Sequence, residues 1–190
     1  MIKESVIAEL QKIVGKENVK TEKESLKAYS YDGTTSWQHE PDVVVFPTST
    51  KEISEIMKLA NAEKIPVTPR GGGTNVSGGS IPIMGGIVLC TTKMNRVLDI
   101  NQANLTATVE PGVVLQDLYN LLAKDNLFYP PDPQSFLSCT VGGTVAENSG
   151  GPLCIKYGVT KQYILGLEVV LADGTIMKLG GLTPKNRTGY

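Results

Sequence analysis

The chain has 190 residues, 41% of them apolar and 19% charged, a composition that suits a folded domain with its own core and not a disordered segment. Its 18 Lys and Arg balance 19 Asp and Glu, so no excess charge draws it to nucleic acid or to an anionic membrane surface. The longest apolar runs, residues 41–47 and 163–172, are far too short to span a bilayer, and the start of the chain has no apolar h-region of a secretion signal, so the expected location is cytoplasmic.

Ile2, Val6, Ile7, Leu10, Ile13 and Val14 fall at helical spacing and predict a helix with one buried face. Residues 15–40 are polar and show no period, with Gly33 and Trp37 near their end; residues 1–40 therefore read as a helix and a lead-in. The β-branched run at 42–46 stops at Pro47 and predicts a strand. Ser49-Thr50-Lys51-Glu52 has the pattern of a capping box, and Ile53, Ile56, Met57 and Ala60 continue it as an amphipathic helix to about Glu63. Short strands are expected at 65–68 and 86–91, and the strand–helix–strand order over 42–68 is βαβ-like. Leu105, Ala107 and Val109 alternate with threonines as a strand that ends at Pro111-Gly112, and a helix is expected over 114–124. Leu167, Val169 and Leu171 alternate within a strand at 163–172, Asp173-Gly174 signals a hairpin, and 175–179 returns. The expected fold is α+β with two lobes, a small βαβ-like one at about 41–93 and a larger β-rich one at about 105–190.

Residues able to do chemistry are sparse. Cys90, Cys139 and Cys154 match no zinc or iron–sulfur spacing, so no metal site is expected, and all three read as reduced, buried, small hydrophobes. The single histidine, His39, lies among Gln38, Glu40 and Pro41 and reads as a solvated loop residue. Arg70, Arg96 and Arg187 are the only arginines. No constellation of base and carboxylate clamp emerges, and no catalytic residue is assigned.

The 20 glycines cluster at 71–86, 142–151 and 180–189. The first cluster, Gly71-Gly72-Gly73-Thr74-Asn75-Val76-Ser77-Gly78-Gly79, leaves a strand through Pro69 and Arg70. Glycines allow turns closed to other residues, and several N–H groups can then converge on an anion, with Asn75 and Ser77 as additional hydrogen-bonding side chains. The stretch is not a Rossmann fingerprint, because no G-x-G-x-x-G opens a helix and Ile81-Pro82 follows; it also lacks a P-loop lysine. Taken alone it could equally be a flexible connector. The second cluster, Thr140-Val141-Gly142-Gly143-Thr144 through Asn148-Ser149-Gly150-Gly151, follows a stiff Tyr129-Pro130-Pro131-Asp132-Pro133 turn. Its alternative is a pair of tight turns. Two glycine-rich loops, one per lobe, suit a long ligand such as a dinucleotide.

Four stretches in this order, residues 69–79, 129–133, 139–151 with Lys156-Tyr157-Gly158, and 165–174, together with Lys185–Tyr190, resemble the PCMH-type FAD-binding domain of the vanillyl-alcohol oxidase and p-cresol methylhydroxylase superfamily. Within it, the similarity is to the glycolate oxidase flavin subunit and D-lactate dehydrogenase branch. The resemblance implies that Pro69, Arg70, Gly71, Gly72, Gly73, Thr74, Asn75, Gly78 and Gly79 hold the FAD pyrophosphate. It implies that Pro130, Asp132, Ser135, Thr140, Val141, Gly142 and Gly143 line the other side of the cofactor. Asn148, Ser149 and Gly150 would lie near the ribityl chain and flavin ring, and Tyr157 and Gly158 are also implied to bind the cofactor. Thr74 stands where covalent members of the superfamily carry a histidine, which implies non-covalent FAD. The implied reaction is dehydrogenation of a 2-hydroxy acid of the D-lactate or glycolate class. It would need a C-terminal cap domain that these residues do not include, and an electron-transfer partner protein is also implied. The fold expectation is then a two-lobed PCMH-type domain, C-terminally incomplete. Two alternatives stand beside this reading: an electron-transfer subunit with no substrate of its own, and an enolpyruvyl-sugar reductase of the same fold.

Overall fold

The chain folds as two units, one formed by residues up to Met94 with Val170–Ile176, the other by Asn95–Val169 with the residues from Met177. The protein is described by a computed structural model over residues 2–34 and 36–182.

The first unit contains α1 (Glu4–Val14), β1 (Val19–Lys20), α2 (Lys23–Ala28), β2 (Val43–Val45), α3 (Thr50–Glu63), β3 (Val67–Arg70) and β4 (Ile87–Cys90). Its sheet has the order β1-β2-β4-β3, with β2 and β3 both parallel to β4 and β1 antiparallel to β2. Side chains alternate across a strand, and that explains why the unbroken apolar runs of β2 and β4 are needed. Val43, Val45, Ile87 and Leu89 pack under Val6, Leu10 and Val14 of α1 and Ile56 and Ala60 of α3. Val44, Val88 and Cys90 face the other way, onto Phe46, Leu26 and Tyr29. A sheet covered on both faces reads as continuous hydrophobicity and not as alternation.

Helix α3 begins where the capping pattern places it. The Ser49 Oγ accepts the Glu52 N–H at 3.3 Å, while the Glu52 carboxylate reaches past the cap to the Thr48 N–H at 2.7 Å. Ser54, in the second turn of the helix, donates its hydroxyl to the Gly174 carbonyl at 2.5 Å. A Cβ on Gly174, whose φ is +84°, would lie 2.7 Å from the Ser54 carbonyl, so only glycine allows this docking.

The second unit contains β5 (Val97–Asn101), β6 (Thr106–Val109), α4 (Leu115–Ala123), α5 (Val141–Glu147) and α6 (Cys154–Tyr157), and strands β7 (Gly166–Val170) and β8 (Ile176–Gly180) form the hairpin turning at Asp173-Gly174. Its core gathers Val113, Leu115, Leu118, Leu122, Cys139 and Val141, with Val97, Ile100 and Val109 from the antiparallel β5–β6 pair packed against it. The Arg96 guanidinium donates to the Glu110 carboxylate at 2.7 Å, and the Glu110 carboxylate also accepts the Arg96 main-chain N–H at 2.8 Å, locking the start of β5 to the end of β6.

The structure differs from the sequence expectations at several points. Residues 15–40 are not featureless, since they supply β1 and α2. The strand expected at 65–68 is Val67–Arg70, because Lys64 in a left-handed conformation (φ 55°) and Pro66 use up the residues between. The βαβ-like unit skips a strand: β4 inserts between β2 and β3. Leu105 belongs to the tight β5–β6 turn, with φ +53° and high exposure, and β5 itself had no distinct pattern. The second glycine cluster is a helix over Val141–Glu147. Cys154 is only partly buried, whereas Cys90 and Cys139 are core residues. The C-terminal motif at 185–190 lies outside the described residues. Among the described residues no helix is long and apolar enough to cross a membrane.

Candidate functional site

Strand β3 ends at Arg70, paired with Cys90 of β4, and delivers the chain into the first glycine cluster. Gly73 and Gly78 adopt φ values of +67° and +75°, which an L side chain resists. The main-chain N–H groups of Gly71, Gly72, Gly73 and Thr74 find no acceptor among the described residues, and these four residues are exposed or half-buried. The loop therefore presents donors outward, the arrangement that an anion would satisfy.

Behind the loop lies a cation. Arg70 is buried, donates through Nη1 to the Tyr31 carbonyl at 2.7 Å, and stacks its guanidinium 5.3 Å from the centre of the Tyr29 ring. A Cβ built on Gly73 would lie 2.1 Å from Nη2 of Arg70, which places the guanidinium directly behind that glycine. A positive charge behind converging N–H groups adds to their attraction for phosphate oxygens.

Asn75 does not face outward as a further ligand donor. Its amide donates to the Asp32 carboxylate at 2.6 Å and to the Ser77 hydroxyl at 3.1 Å, and its carbonyl accepts from Ser80 at 2.8 Å. The Ser77 hydroxyl also accepts the Gly79 N–H at 3.2 Å. These side chains give the loop its shape. Burial acts to raise the Asp32 carboxyl, but hydrogen bonds from the Thr34 N–H, Asn75 and Ser80 outweigh it and hold the group below the usual carboxylate range. Asp32 carried no motif in the sequence. The only hint was the Asp-Gly dipeptide at Asp32-Gly33, and nothing in the chain order announces a contact 43 residues away.

In the second unit the glycines serve packing. The Thr140 Oγ caps α5 by accepting the Gly143 N–H at 3.2 Å. Gly142 donates to the Pro111 carbonyl at 2.8 Å, and Val141 donates to the Val113 carbonyl at 2.8 Å. A Cβ on Gly142 would meet the Pro111 Cβ at 2.6 Å. Unlike those of the first loop, the N–H groups of Val141, Gly142 and Gly143 are thus all engaged within the chain. Asn148 ends the helix in a left-handed conformation (φ 48°) and accepts the Lys161 N–H at 2.9 Å, and the Ser149 carbonyl accepts from Thr160.

Asp132 is drawn to the following segment: its carboxylate accepts the Leu153 N–H at 3.0 Å, and its carbonyl lies where a Cβ on Gly151 would be, at 2.2 Å. Pro130 is half-buried just before it, and Ser135 caps a turn by accepting the N–H groups of Ser138 and Cys139 at 2.8 Å each. Tyr157 meets Phe128 edge-on at 5.9 Å, Gly158 follows with φ +84°, and Gly150 has ordinary clearance on all sides. Beside Asp132 is a depression of about 280 Å³ lined by Tyr119, Leu122, Ala123, Leu127, Phe128 and Tyr129. The Tyr119 hydroxyl donates to the Pro131 carbonyl, and burial pushes the Tyr129 phenol up to about 12. The Cys139 thiol is pushed up by burial, in keeping with a packing role.

A sequence model described as an FAD binding domain matches residues 41–180. The chain belongs to the FAD binding domain family. It is 45% identical over 190 residues to the glycolate oxidase subunit GlcD of Bacillus subtilis (strain 168), covering 100% of this chain and 40% of that protein. It is 44% identical over 150 residues to a D-lactate dehydrogenase of Anaerostipes hadrus, covering 79% of this chain and 31% of that one. The structure of p-cresol methylhydroxylase with substrate bound superposes with a TM-score of 0.82 at 26% identity, over 98% of this chain and 37% of that one. The fold is therefore of the PCMH type, and the chain spans well under half the length of these relatives.

FAD fits the residues present. Four adjacent N–H groups without acceptors among the described residues, on a glycine backbone whose Gly73 leaves room for a buried guanidinium behind it, form a cradle that a pyrophosphate would satisfy. Other groups of chemical interest are engaged or exposed among the described residues. His39 is exposed and bonded to its neighbour's carbonyl, Arg96 is paired with Glu110, and no group of three His, Cys, Asp or Glu side chains could hold a metal.

Proposed function

We propose that this chain is the FAD-holding part of a flavin-dependent dehydrogenase that oxidises a 2-hydroxy acid of the D-lactate or glycolate class. The observation that carries the reading is the first glycine loop, whose Gly71–Thr74 N–H donors have no acceptor among the described residues and which has Arg70 behind Gly73. When bound, FAD supplies a two-electron acceptor for the hydride leaving the substrate's C2. The chain's own part is to bind and orient: Gly71–Thr74 hold the pyrophosphate through main-chain donors, Arg70 adds charge from beneath, and Asn75 and Ser77 hold the loop in shape. The assignment of Pro130, Asp132, Ser135, Thr140–Gly143, Asn148–Gly150, Tyr157 and Gly158 to the rest of the cofactor rests on family resemblance. Thr74 at the place of the covalent members' histidine supports non-covalent binding.

The substrate's carboxylate clamp and the base for its hydroxyl proton are proposed to lie elsewhere, because among the described residues no arginine–histidine pair is free to do that work. Reconstitution with FAD followed by denaturation should release a yellow supernatant. Adding D-lactate or glycolate with an artificial electron acceptor to this chain should give no dye reduction, whereas substrate should bleach the flavin of the full-length protein. Flavin retained in the denatured pellet would defeat the non-covalent reading. Failure of any 2-hydroxy acid to bleach the full-length protein would favour a pure electron-transfer subunit.

A further inference from the structure

We propose that Asp32 is a positioning residue of the phosphate loop: its carboxylate grips the Asn75 amide and so sets the main-chain donors at Gly71–Thr74. The proposal rests on the FAD reading of that loop.

Three consecutive residues hold the loop from beneath. The Tyr31 carbonyl accepts from Arg70 at 2.7 Å, the Asp32 carboxylate accepts from Asn75 at 2.6 Å, and the Gly33 N–H donates to the Asn75 carbonyl at 2.8 Å. Both the side chain and the main chain of Asn75 are thus fixed by one turn. Gly33 allows the approach, since a Cβ there would lie 2.8 Å from the Asn75 carbonyl oxygen and 3.1 Å from the Val76 side chain. The second Asp32 oxygen accepts the Thr34 N–H at 2.7 Å, which fixes the carboxylate in turn.

The choice of an acid here runs against simple electrostatics. Asp32 is buried, and a buried carboxylate near an anion loop repels a phosphate. Its value must lie in its being acceptor-only. It faces three donors, the Thr34 N–H on one oxygen and the Asn75 amide and, at 3.4 Å, the Ser80 hydroxyl on the other, and an asparagine in its place would keep one acceptor oxygen and turn its own amide toward donors. A role as a nearby charge and a role as a positioner therefore predict effects of opposite sign. Asp32→Asn tightens FAD if only charge matters and weakens it if the grip matters.

The test uses the 190-residue chain, with FAD affinity read from quenching of flavin fluorescence and loop order read from amide hydrogen exchange without ligand. Asp32→Asn should weaken FAD at least tenfold and speed exchange over residues 71–79, with α1 and α3 unchanged. The exchange partner Asp32→Asn with Asn75→Asp restores a donor facing an acceptor with reversed polarity, and should recover the slow exchange and part of the affinity. Asp32→Asn binding as tightly as the parent, or more tightly, would overturn the proposal. So would faster exchange spread across the whole first unit, which would make Asp32 a general stabiliser. A parent chain that binds no FAD would overturn the FAD reading instead, and the exchange measurement would still decide the grip.

Discussion

Replacing Gly73 with alanine adds one methyl group at a position where two costs combine. The backbone there has φ +67°, which costs an L residue about 1–2 kcal/mol. The new Cβ would also lie 2.1 Å from Nη2 and 2.5 Å from Cζ of Arg70. The guanidinium must then move, and its hydrogen bond to the Tyr31 carbonyl is charge-assisted and part-buried, worth about 1.5–3 kcal/mol. Together these come to about 3 kcal/mol or more, which is over a hundredfold in FAD affinity if the loop relaxes on losing its ligand shape. Two readouts separate binding from folding. Trp37, the only tryptophan, packs on Gly78 of the same loop and reports bound flavin by quenching, while the thermal midpoint reports the fold. Removing the clash with Arg70→Ala should reduce the further cost of Gly73→Ala to the backbone part alone, a coupling that a double-mutant cycle measures. Gly181→Ala, with nothing within 4 Å, is the matched control. If Gly73→Ala binds FAD within threefold of the parent and melts at the same temperature, the guanidinium is not behind this glycine and the loop is not held as described.

Two further outcomes follow from packing and charge. Gly142→Ala pushes a Cβ to 2.6 Å from the Pro111 side chain and 2.9 Å from its carbonyl, an overpacking of about 1–3 kcal/mol. Its thermal midpoint should fall more than that of Gly143→Ala, which meets only the Thr140 hydroxyl at 3.2 Å; equal midpoints would count against the helix–turn contact. The Glu110 carboxyl is held below its ordinary 4.5, chiefly by its hydrogen bonds from Arg96, so its contribution to stability is present above that value and is lost as pH falls through the lower folded value. Glu110→Gln should therefore lose less stability than the parent between pH 6 and pH 3 in urea titrations, and parallel pH curves for the two would refute the assignment.

Much of the architecture was legible in the residue order, because it depends on neighbours along the chain. Helix α3 announces itself through Ser49 and Glu52 and the spacing of Ile53, Ile56 and Ala60, and the β-branched run of β2 before Pro47 reads as a strand. The Asp173-Gly174 turn needs just two residues to be recognised, and its Leu171–Thr175 hydrogen bond at 2.9 Å closes the hairpin as expected. The PCMH-type fold and the FAD family were likewise readable, from motifs in order along the chain.

What residue order did not carry is which distant segments meet. Two glycine clusters looked alike as strings, yet one leaves the N–H groups of Gly71–Thr74 without an acceptor among the described residues, and the other opens a helix whose Gly142 gives room to Pro111 and whose first donors are engaged. Glycine in a sequence signals freedom of φ or the absence of a side chain, and only the neighbours in space tell which of the two is in use. The insertion of β4 between β2 and β3 is of the same kind, since strand order follows from the pairing of residues 43–45 and 67–70 with 87–90 and not from any local period. Asp32 is the sharpest instance: an acid in a stretch without pattern, whose role exists only because folding brings it 2.6 Å from the amide of Asn75.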